Sequence, residues 1–133
     1  MISIRSSADL ARVLNGCLEP HLRALLTLRR DQLISDGDED LGDLVHFIVV
    51  RNGDTLAAVE TEAGVALSIN PIDGRRLGDP DFEPLFEYVK RQNGFLEAVM
   101  ILNDDGFAVV LLVPDTITVD PNITLLLRRC AAV

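Results

Sequence analysis

Two neighbouring segments that are apolar at almost every position most constrain how this 133-residue chain can fold. They read FLEAVMIL (residues 95–102) and FAVVLLV (residues 107–113), and the polar sequence NDDG lies between them. A short polar connection between two such segments predicts a β-hairpin. A strand with one face in water alternates apolar and polar residues, so this hairpin predicts a sheet that is covered on both faces.

Apolar residues at helical spacing predict elements that cover such a sheet. Ser6, followed by Asp9 three residues later, is typical of a capping box, and we expect a helix over residues 7–33. Pro20 lies inside this pattern, so we expect a kink, or two helices that meet near residues 15–16. A final helix is expected after Asp120 and Pro121. Its predicted apolar side comprises Ile123, Leu126, Leu127 and Cys130.

The middle of the chain predicts shorter elements. LVHFIVV (residues 44–50) is rich in β-branched residues and predicts a strand, and VALSI (residues 65–69) is a second candidate. The sequence between them favours a short helix capped by Asp54 and ended at Gly64, although Asn52 and Gly53 leave a hairpin open. A further helix is expected over residues 82–93, with Gly94 just past its end. Its predicted buried face comprises Phe82, Leu85, Phe86 and Val89.

Together these elements predict the α+β class, with a small, mostly antiparallel sheet and flanking helices in the order α-β-α-β-α-β-β-α. The length fits one domain that spans residues 1–133. Within it we expect a long N-terminal helix (7–33), an acidic connector (35–43) and an α+β core (44–133).

The charge distribution makes some functions less favourable. The net charge of −9 disfavours direct binding to nucleic acid, because that affinity depends on neutralising phosphates with Lys and Arg. Residues 1–34 carry five arginines and three acids, whereas residues 35–133 carry seven basic and eighteen acidic residues. The two parts are electrically complementary, which suits docking within one chain or between two copies.

The sequence also predicts a compartment. No apolar run approaches the roughly 20 residues needed to cross a bilayer, and the N-terminus lacks the apolar core of a signal peptide. Cys17 and Cys130 lie in apolar, helix-like contexts and are expected to be buried, reduced thiols. We therefore expect a cytoplasmic protein without membrane association.

The acidic stretch SDGDEDLGD (residues 35–43) raises the question of a metal site. Asp36, Asp38 and Asp40 fit the first three ligand positions of an EF-hand loop. However, Leu41 stands where that loop needs glycine, and Phe47 stands where it needs a bidentate glutamate. We interpret the stretch as a solvated connector and leave weak cation binding open.

Familiar catalytic constellations do not accompany the two histidines. Cys17 and His21 are four residues apart and would share one face of a regular helix, but no third ligand follows them. His46 lies within a predicted strand, where a hydrogen-bonded sheet residue is the simpler interpretation. The sequence contains no nucleophile elbow, phosphate loop or dinucleotide fingerprint. We expect no catalytic residues, no metal ion and no cofactor.

The loop NPIDGRRLGDPDFE (residues 70–83) is the best local candidate for a ligand site. Adjacent arginines beside turn glycines can bind a carboxylate or a phosphate group. The candidate ligand-binding residues are Arg75, Arg76, Asp79 and Asp81. In the alternative interpretation, the arginines only neutralise their acidic neighbours.

Two stretches resemble known proteins. HFIVVRNGDTLAAVETEAGVAL (residues 46–67) resembles the opening of a LysM glycan-binding module, in which a strand leads through Gly-Asp-Thr-Leu into a helix that ends at glycine; the rest of that family's pattern is not recognisable after Gly64. HFIVVRNGDTL, DGRRLGDPDFEPLFE and NDDGFAVVLLVPD together resemble short uncharacterised bacterial proteins associated with plasmids and other mobile elements. The first resemblance implies glycan binding, and the second implies a small cytoplasmic accessory protein.

These observations predict a non-enzymatic protein-interaction module, with a homodimer as the leading arrangement and another protein as the alternative partner. A second hypothesis is an acidic nucleic-acid mimic that inhibits a DNA-processing protein. A third is a small ligand-binding protein or enzyme that uses the loop of residues 70–83.

Overall fold

The two apolar segments form adjacent strands of a five-stranded sheet in the computed structural model, which describes residues 1–35, 45–70, 72–83, 86, 88–92, 94–101, 108–115 and 117–131. In chain order the elements are β1 (Ile2–Ile4), α1 (Ser7–Leu14), α2 (Pro20–Ser35), β2 (Val45–Val49), α3 (Leu56–Ala63), β3 (Tyr88–Gln92), β4 (Phe95–Ile101), β5 (Ala108–Pro114) and α4 (Pro121–Ala131). The predicted α+β class is confirmed.

The strand order is β1-β2-β5-β4-β3. Three neighbouring pairs are antiparallel, but β2 and β5 are parallel, so the sheet is mixed rather than mostly antiparallel as the sequence predicted. Parallel neighbours need a long crossover connection, and the chain between β2 and β5 supplies one that contains α3 and the β3–β4 hairpin.

Every residue of β5 is buried, and its side chains alternate between two separate cores. Val110 and Leu112 face the core that α1 and α2 cover. Val109, Leu111 and Val113 face the core that α3 and α4 cover. Helices therefore lie on both faces of the sheet, as the apolar hairpin predicted.

The N-terminal helical segment is divided into two helices, one of the alternatives that Pro20 suggested. The Ser6 hydroxyl accepts a hydrogen bond from the Asp9 amide at 3.1 Å and caps α1. Proline suits the first position of a helix, and α2 begins at Pro20. Both helices pack on one face of the sheet. The residues they bury there are Leu10, Leu14, Leu22, Leu25 and Leu26.

The opposite layer contains α3 and α4. Residues 56–63 are helical, but Thr55 rather than Asp54 provides the cap, and Gly64 ends the helix in the left-handed conformation at φ 73°. Asp120 accepts hydrogen bonds from the amides of Leu56 at 2.9 Å and Asn122 at 3.0 Å. One carboxylate thus joins the N-termini of both helices, and these bonds lower the pKa of Asp120.

The predicted helix over residues 82–93 is wrong, because Tyr88–Gln92 is strand β3. Gln92 lies opposite Phe95, so β3 and β4 are joined by a two-residue connection. Gly94 has a φ of 80° and serves this hairpin rather than a helix end. Pairing with β4 across this hairpin has overridden the local helix propensity.

Two smaller features of the structure also differ from the sequence prediction. Residues 65–69 make only an isolated bridge, between Ile69 and Arg76, instead of the predicted strand. Strand β1 was not predicted, because three residues carry too little periodic signal. Residues 36–43 of the acidic connector lie outside the described residues, whereas Ser35 ends α2.

A buried ion pair connects α2 to the sheet. The side chain of Glu97 on β4 is 1% exposed, and Arg29 on α2 is 15% exposed. Arg29 Nε donates to Glu97 Oε2 at 2.8 Å, and Arg29 Nη2 donates to Oε1. Lys90 Nζ lies 3.8 Å from the same Oε1. This bidentate ion pair fixes the position of α2 over β4.

Arg29→Met is expected to lower the free energy of unfolding by about 3 kcal/mol or more, because it leaves the Glu97 carboxylate buried without the Arg29 guanidinium. The double variant Arg29→Met/Glu97→Met should recover most of that loss. Arg30→Met is the matched control on the exposed side of α2 and should cost about 0.5 kcal/mol or less. Urea unfolding checks all three values, and equal losses for Arg29→Met and Arg30→Met would contradict the role of the pair.

Candidate functional site

The predicted ligand loop is held by Asn70 at its start. Asn70 is buried, its Nδ2 donates to the Glu83 carbonyl at 2.8 Å, and its Oδ1 accepts from the Ile72 amide at 2.9 Å. The backbones of Asn70 and Gly74 bond across the turn at 2.7 Å. Residues 70–83 therefore form a hydrogen-bonded loop on the surface.

The four candidate ligand residues of this loop lie close together in two pairs. Arg75 Nη1 donates to the Asp81 carbonyl at 3.0 Å and lies 3.9 Å from the Asp81 carboxylate. The Asp79 carboxylate accepts from the Arg76 amide at 2.8 Å. Arg75 is thus engaged by acidic neighbours, as the alternative interpretation described. Ligand binding at these residues stays a prediction.

Cys17 and His21 are not on one helix face. Cys17 lies between α1 and α2 and is exposed, so the expectation of a buried thiol at this position is wrong. His21 lies in the first turn of α2 and is also exposed. The side chain of Cys130 and the acidic stretch at residues 36–43 lie outside what the structure describes.

A polar cluster that local sequence patterns do not indicate joins β1, β2 and α3. His46 is 5% exposed, and its Nε2 lies 2.7 Å from Ser3 Oγ. Glu62 Oε1 lies 3.9 Å from the same nitrogen and 3.0 Å from Arg5 Nη2. Serine, histidine and glutamate thus meet at the edge of the α3 layer.

Electrostatics determine the charge states in this cluster. Burial, reinforced by the Arg5 guanidinium, lowers the pKa of His46 below its ordinary value of 6.5, although Glu62 and Asp9 act in the opposite direction. The hydrogen bond from Ser3, together with Arg5, lowers the pKa of Glu62 below 4.5. At neutral pH the cluster therefore contains a neutral imidazole and a carboxylate.

The arrangement differs from a serine catalytic triad at the position of the acid. In a triad the acid bonds the ring nitrogen that faces away from the serine. Here Glu62 lies beside Nε2, the nitrogen that contacts Ser3. Because Ser3 directs its proton to Glu62, it accepts a hydrogen bond from His46, and the cluster connects β1, β2 and α3.

Strand β3 offers a different kind of site, because it is an edge of the sheet. The Asp115 amide donates to the Gly94 carbonyl at 2.9 Å, and this bond determines which residues of β4 bond β5 and which bond β3. With the observed register, Lys90 then bonds β4, whereas the amides and carbonyls of Val89 and Arg91 point away from it. Neither residue makes a further backbone hydrogen bond within the described part of the chain.

A cavity of about 310 Å³ lies beside this edge. Val89 and Arg91 line it from β3, and Thr124 and Leu127 line it from α4. Its other apolar walls are Leu96, Val113, Pro114, Ile117 and Val119. At its rim, Arg91 Nη1 lies 3.7 Å from the Asp115 carboxylate, and the Arg91 side chain is 70% exposed. We call β3 and this cavity the edge site.

Sequence reasoning missed the edge site because it assigned residues 82–93 to a helix. A usable signal was present, since Asn93 and Gly94 separate YVKRQ from FLEAVMIL and Asn-Gly favours a two-residue hairpin. The Ser3, His46 and Glu62 cluster had no such signal, because its members are far apart in sequence.

Comparison of this chain with protein-family models, curated proteins and solved structures finds no match. The geometry of the chain itself is therefore the basis for a functional proposal. No helix in the described part is long and apolar enough to cross a bilayer.

Acidification is expected to lower the free energy of unfolding. Because the pKa of His46 in the folded chain is below 6.5, the unfolded chain binds more protons below that pH, and stability falls as the pH falls. The lowered pKa of Glu62 adds a loss in the same direction below pH 4.5. Urea unfolding at about pH 7.5 and about pH 5.5 tests the histidine contribution.

His46→Gln should show a smaller loss over this range than the unmodified chain. His21→Gln, which changes an exposed histidine, should keep the full loss. Equal losses for His46→Gln and the unmodified chain would contradict the assignment to His46.

Amide hydrogen exchange in β3 is expected to alternate. Val89 and Arg91 should exchange much faster than Lys90, because the Lys90 amide donates to β4 and theirs point away from it. Residue-resolved exchange by nuclear magnetic resonance at low protein concentration measures this. Uniform protection along β3 would contradict an open edge.

Proposed function

We propose that this protein is a protein-interaction module that binds an extended segment of another protein along β3. The observation that carries the proposal is the edge site, where unpaired backbone groups lie next to an apolar cavity. Addition of a strand to a sheet edge obtains affinity from main-chain hydrogen bonds and specificity from pockets for alternate side chains.

The backbone of β3 supports this mode of binding. Val89 and Arg91 are separated by one residue and direct their amides and carbonyls to the same side, so an incoming strand can bond both. Edge strand β1 has three residues, whereas β3 has five. Of the two edges, β3 thus offers the longer template.

The cavity supports a preference for apolar side chains. Val89 and Arg91 project from β3 on the face that carries α4, and side chains of an added strand alternate between faces in the same way. A large aliphatic or aromatic residue of the partner would therefore lie beside Val89 and enter the cavity. A cavity of about 310 Å³ accommodates one such side chain.

Charge favours a partner other than a second copy. If β3 of a second copy pairs antiparallel over all five residues, Lys90 lies opposite Lys90 of the second copy, and like charges directly opposite are destabilising. An acidic residue in the partner would instead face Lys90 on the opposite face from the cavity. We therefore propose a partner segment in which apolar and acidic residues alternate.

The other functions expected from the sequence stay predictions. The acidic-mimic hypothesis depends on residues 36–43, because many of the described carboxylates bond to groups of the chain itself, as Glu60 does with Leu67 and Ser68. A ligand function of the 70–83 loop, glycan binding and a link to mobile elements have the support of sequence alone. The exposed thiol of Cys17 suits the expected cytoplasmic location.

Selection from a displayed library of random peptides against the full chain tests the proposal. Selected peptides should alternate apolar and acidic residues and should slow amide exchange at Val89 and Arg91. Arg91→Pro should weaken their binding by about tenfold, since it removes one edge donor and places a ring where the partner backbone must approach.

Arg91→Gln is the matched control, because it removes the guanidinium but keeps the amide, and it should weaken binding less than Arg91→Pro. Both variants should fold, since the Arg91 amide faces away from β4. Equal weakening by both variants, or no selected peptide, would overturn strand addition. Self-association that Arg91→Pro abolishes would identify a second copy as the occupant instead.

A further inference from the structure

A second cavity, of about 330 Å³, lies at the same end of the sheet on the face that α1 and α2 cover. Phe95, Pro114 and Ile117 form its apolar wall, and the polar groups at its rim are Glu19, His21 and Arg51. Pro114 and Ile117 also line the cavity of the edge site, so one connector separates the two.

Arg51 lines this second cavity and has side-chain donors without a partner among the described residues. Its side chain is 29% exposed, and its Nη1 donates to Glu19 Oε1 at 2.9 Å. Its main-chain amide donates to Asp54 Oδ2 at 2.7 Å, which holds the backbone at the end of β2. Its Nε and Nη2 have no hydrogen-bond partner among the residues that the structure describes. These two nitrogens present parallel donors whose spacing matches a carboxylate.

We propose that this cavity binds a small monocarboxylate with a branched aliphatic or aromatic body. The body would pack on Phe95, Pro114 and Ile117, while the carboxylate would accept two hydrogen bonds from the free edge of Arg51. The volume is at the lower end of that of ligand cavities, which favours a body the size of one branched aliphatic chain or one aromatic ring.

The other charged groups at the rim define the ligand class further. Glu19 already shares the Arg51 guanidinium, so a doubly charged phosphate would meet stronger repulsion than a monocarboxylate does. The adjacent helix α2 begins at Pro20 and has no acid in its first turn, so its dipole partly offsets the Glu19 charge. His21 provides a second polar contact beside the guanidinium.

This ligand site is distinct from the proposed protein-binding function, since Glu19, His21 and Arg51 do not line the cavity of the edge site, although Pro114 and Ile117 line both cavities. It also differs from the sequence-predicted loop at residues 70–83, because none of its lining residues belongs to that loop.

Titration of the full chain with 4-methylpentanoate, followed by nuclear magnetic resonance, tests the proposal. The uncharged 4-methylpentanamide has the same shape and is the matched probe. We expect saturable binding of the acid with a Kd of about 1 mM or below, and at least about tenfold weaker binding of the amide.

Arg51→Met should weaken binding of the acid by about tenfold or more, since it removes the carboxylate partner but keeps an apolar side chain. Glu19→Gln should strengthen it several-fold, because the like charge is removed, and a folding defect cannot produce that result. Arg12→Met, at an exposed position on α1, should leave binding unchanged.

Three results would overturn the proposal. The first is absence of saturable binding of the acid, and the second is equal affinity for the acid and the amide. The third is loss of binding in Arg91→Gln but not in Arg51→Met, which would place the acid in the cavity of the edge site.

Discussion

The burial of β5 on both faces is the constraint on which the rest of the structure depends. All seven of its residues are buried, so neither face can remain in water. The chain meets this requirement with α1 and α2 on one face and α3 and α4 on the other. Segments from both ends of the sequence must therefore pack on the same strand, which couples their folding.

The charge complementarity between the two parts of the sequence is used within this chain. Arg5 bonds Glu62, and Arg29 bonds Glu97, so arginines of the first 34 residues reach acids of the remainder. The exposed pair contributes about 0–1 kcal/mol at most, whereas the buried pair orients α2. Because helices of the same chain also cover the apolar faces of the hairpin, the homodimer prediction now depends on the sheet edge.

The sequence predicts best those elements that arise from long apolar or periodic segments. β2, β4, β5 and α4 follow from long apolar or periodic segments, and Pro20 indicated the break between α1 and α2. β3 was missed, because a glycine with positive φ fits a hairpin as well as a helix end, and pairing with β4 decides between them. Ser3 and His46 lie 43 residues apart, so no local spacing encodes their contact.

Pro114 lines both cavities, which lie at one end of the sheet where β2 ends. The Val50 amide donates to the Leu112 carbonyl at 2.9 Å, and the chain then turns away at Arg51. Beyond Leu112, β5 thus has no paired strand on the β2 side within the described residues. The alternation of hydrogen bonds between β4 and β5 directs the nitrogen of Pro114 to that side. Because proline has no amide hydrogen, no donor is left unpaired there. The sheet leaves space beside the Arg51 guanidinium at the point where β2 ends. A proline is tolerated in β5 at the same point.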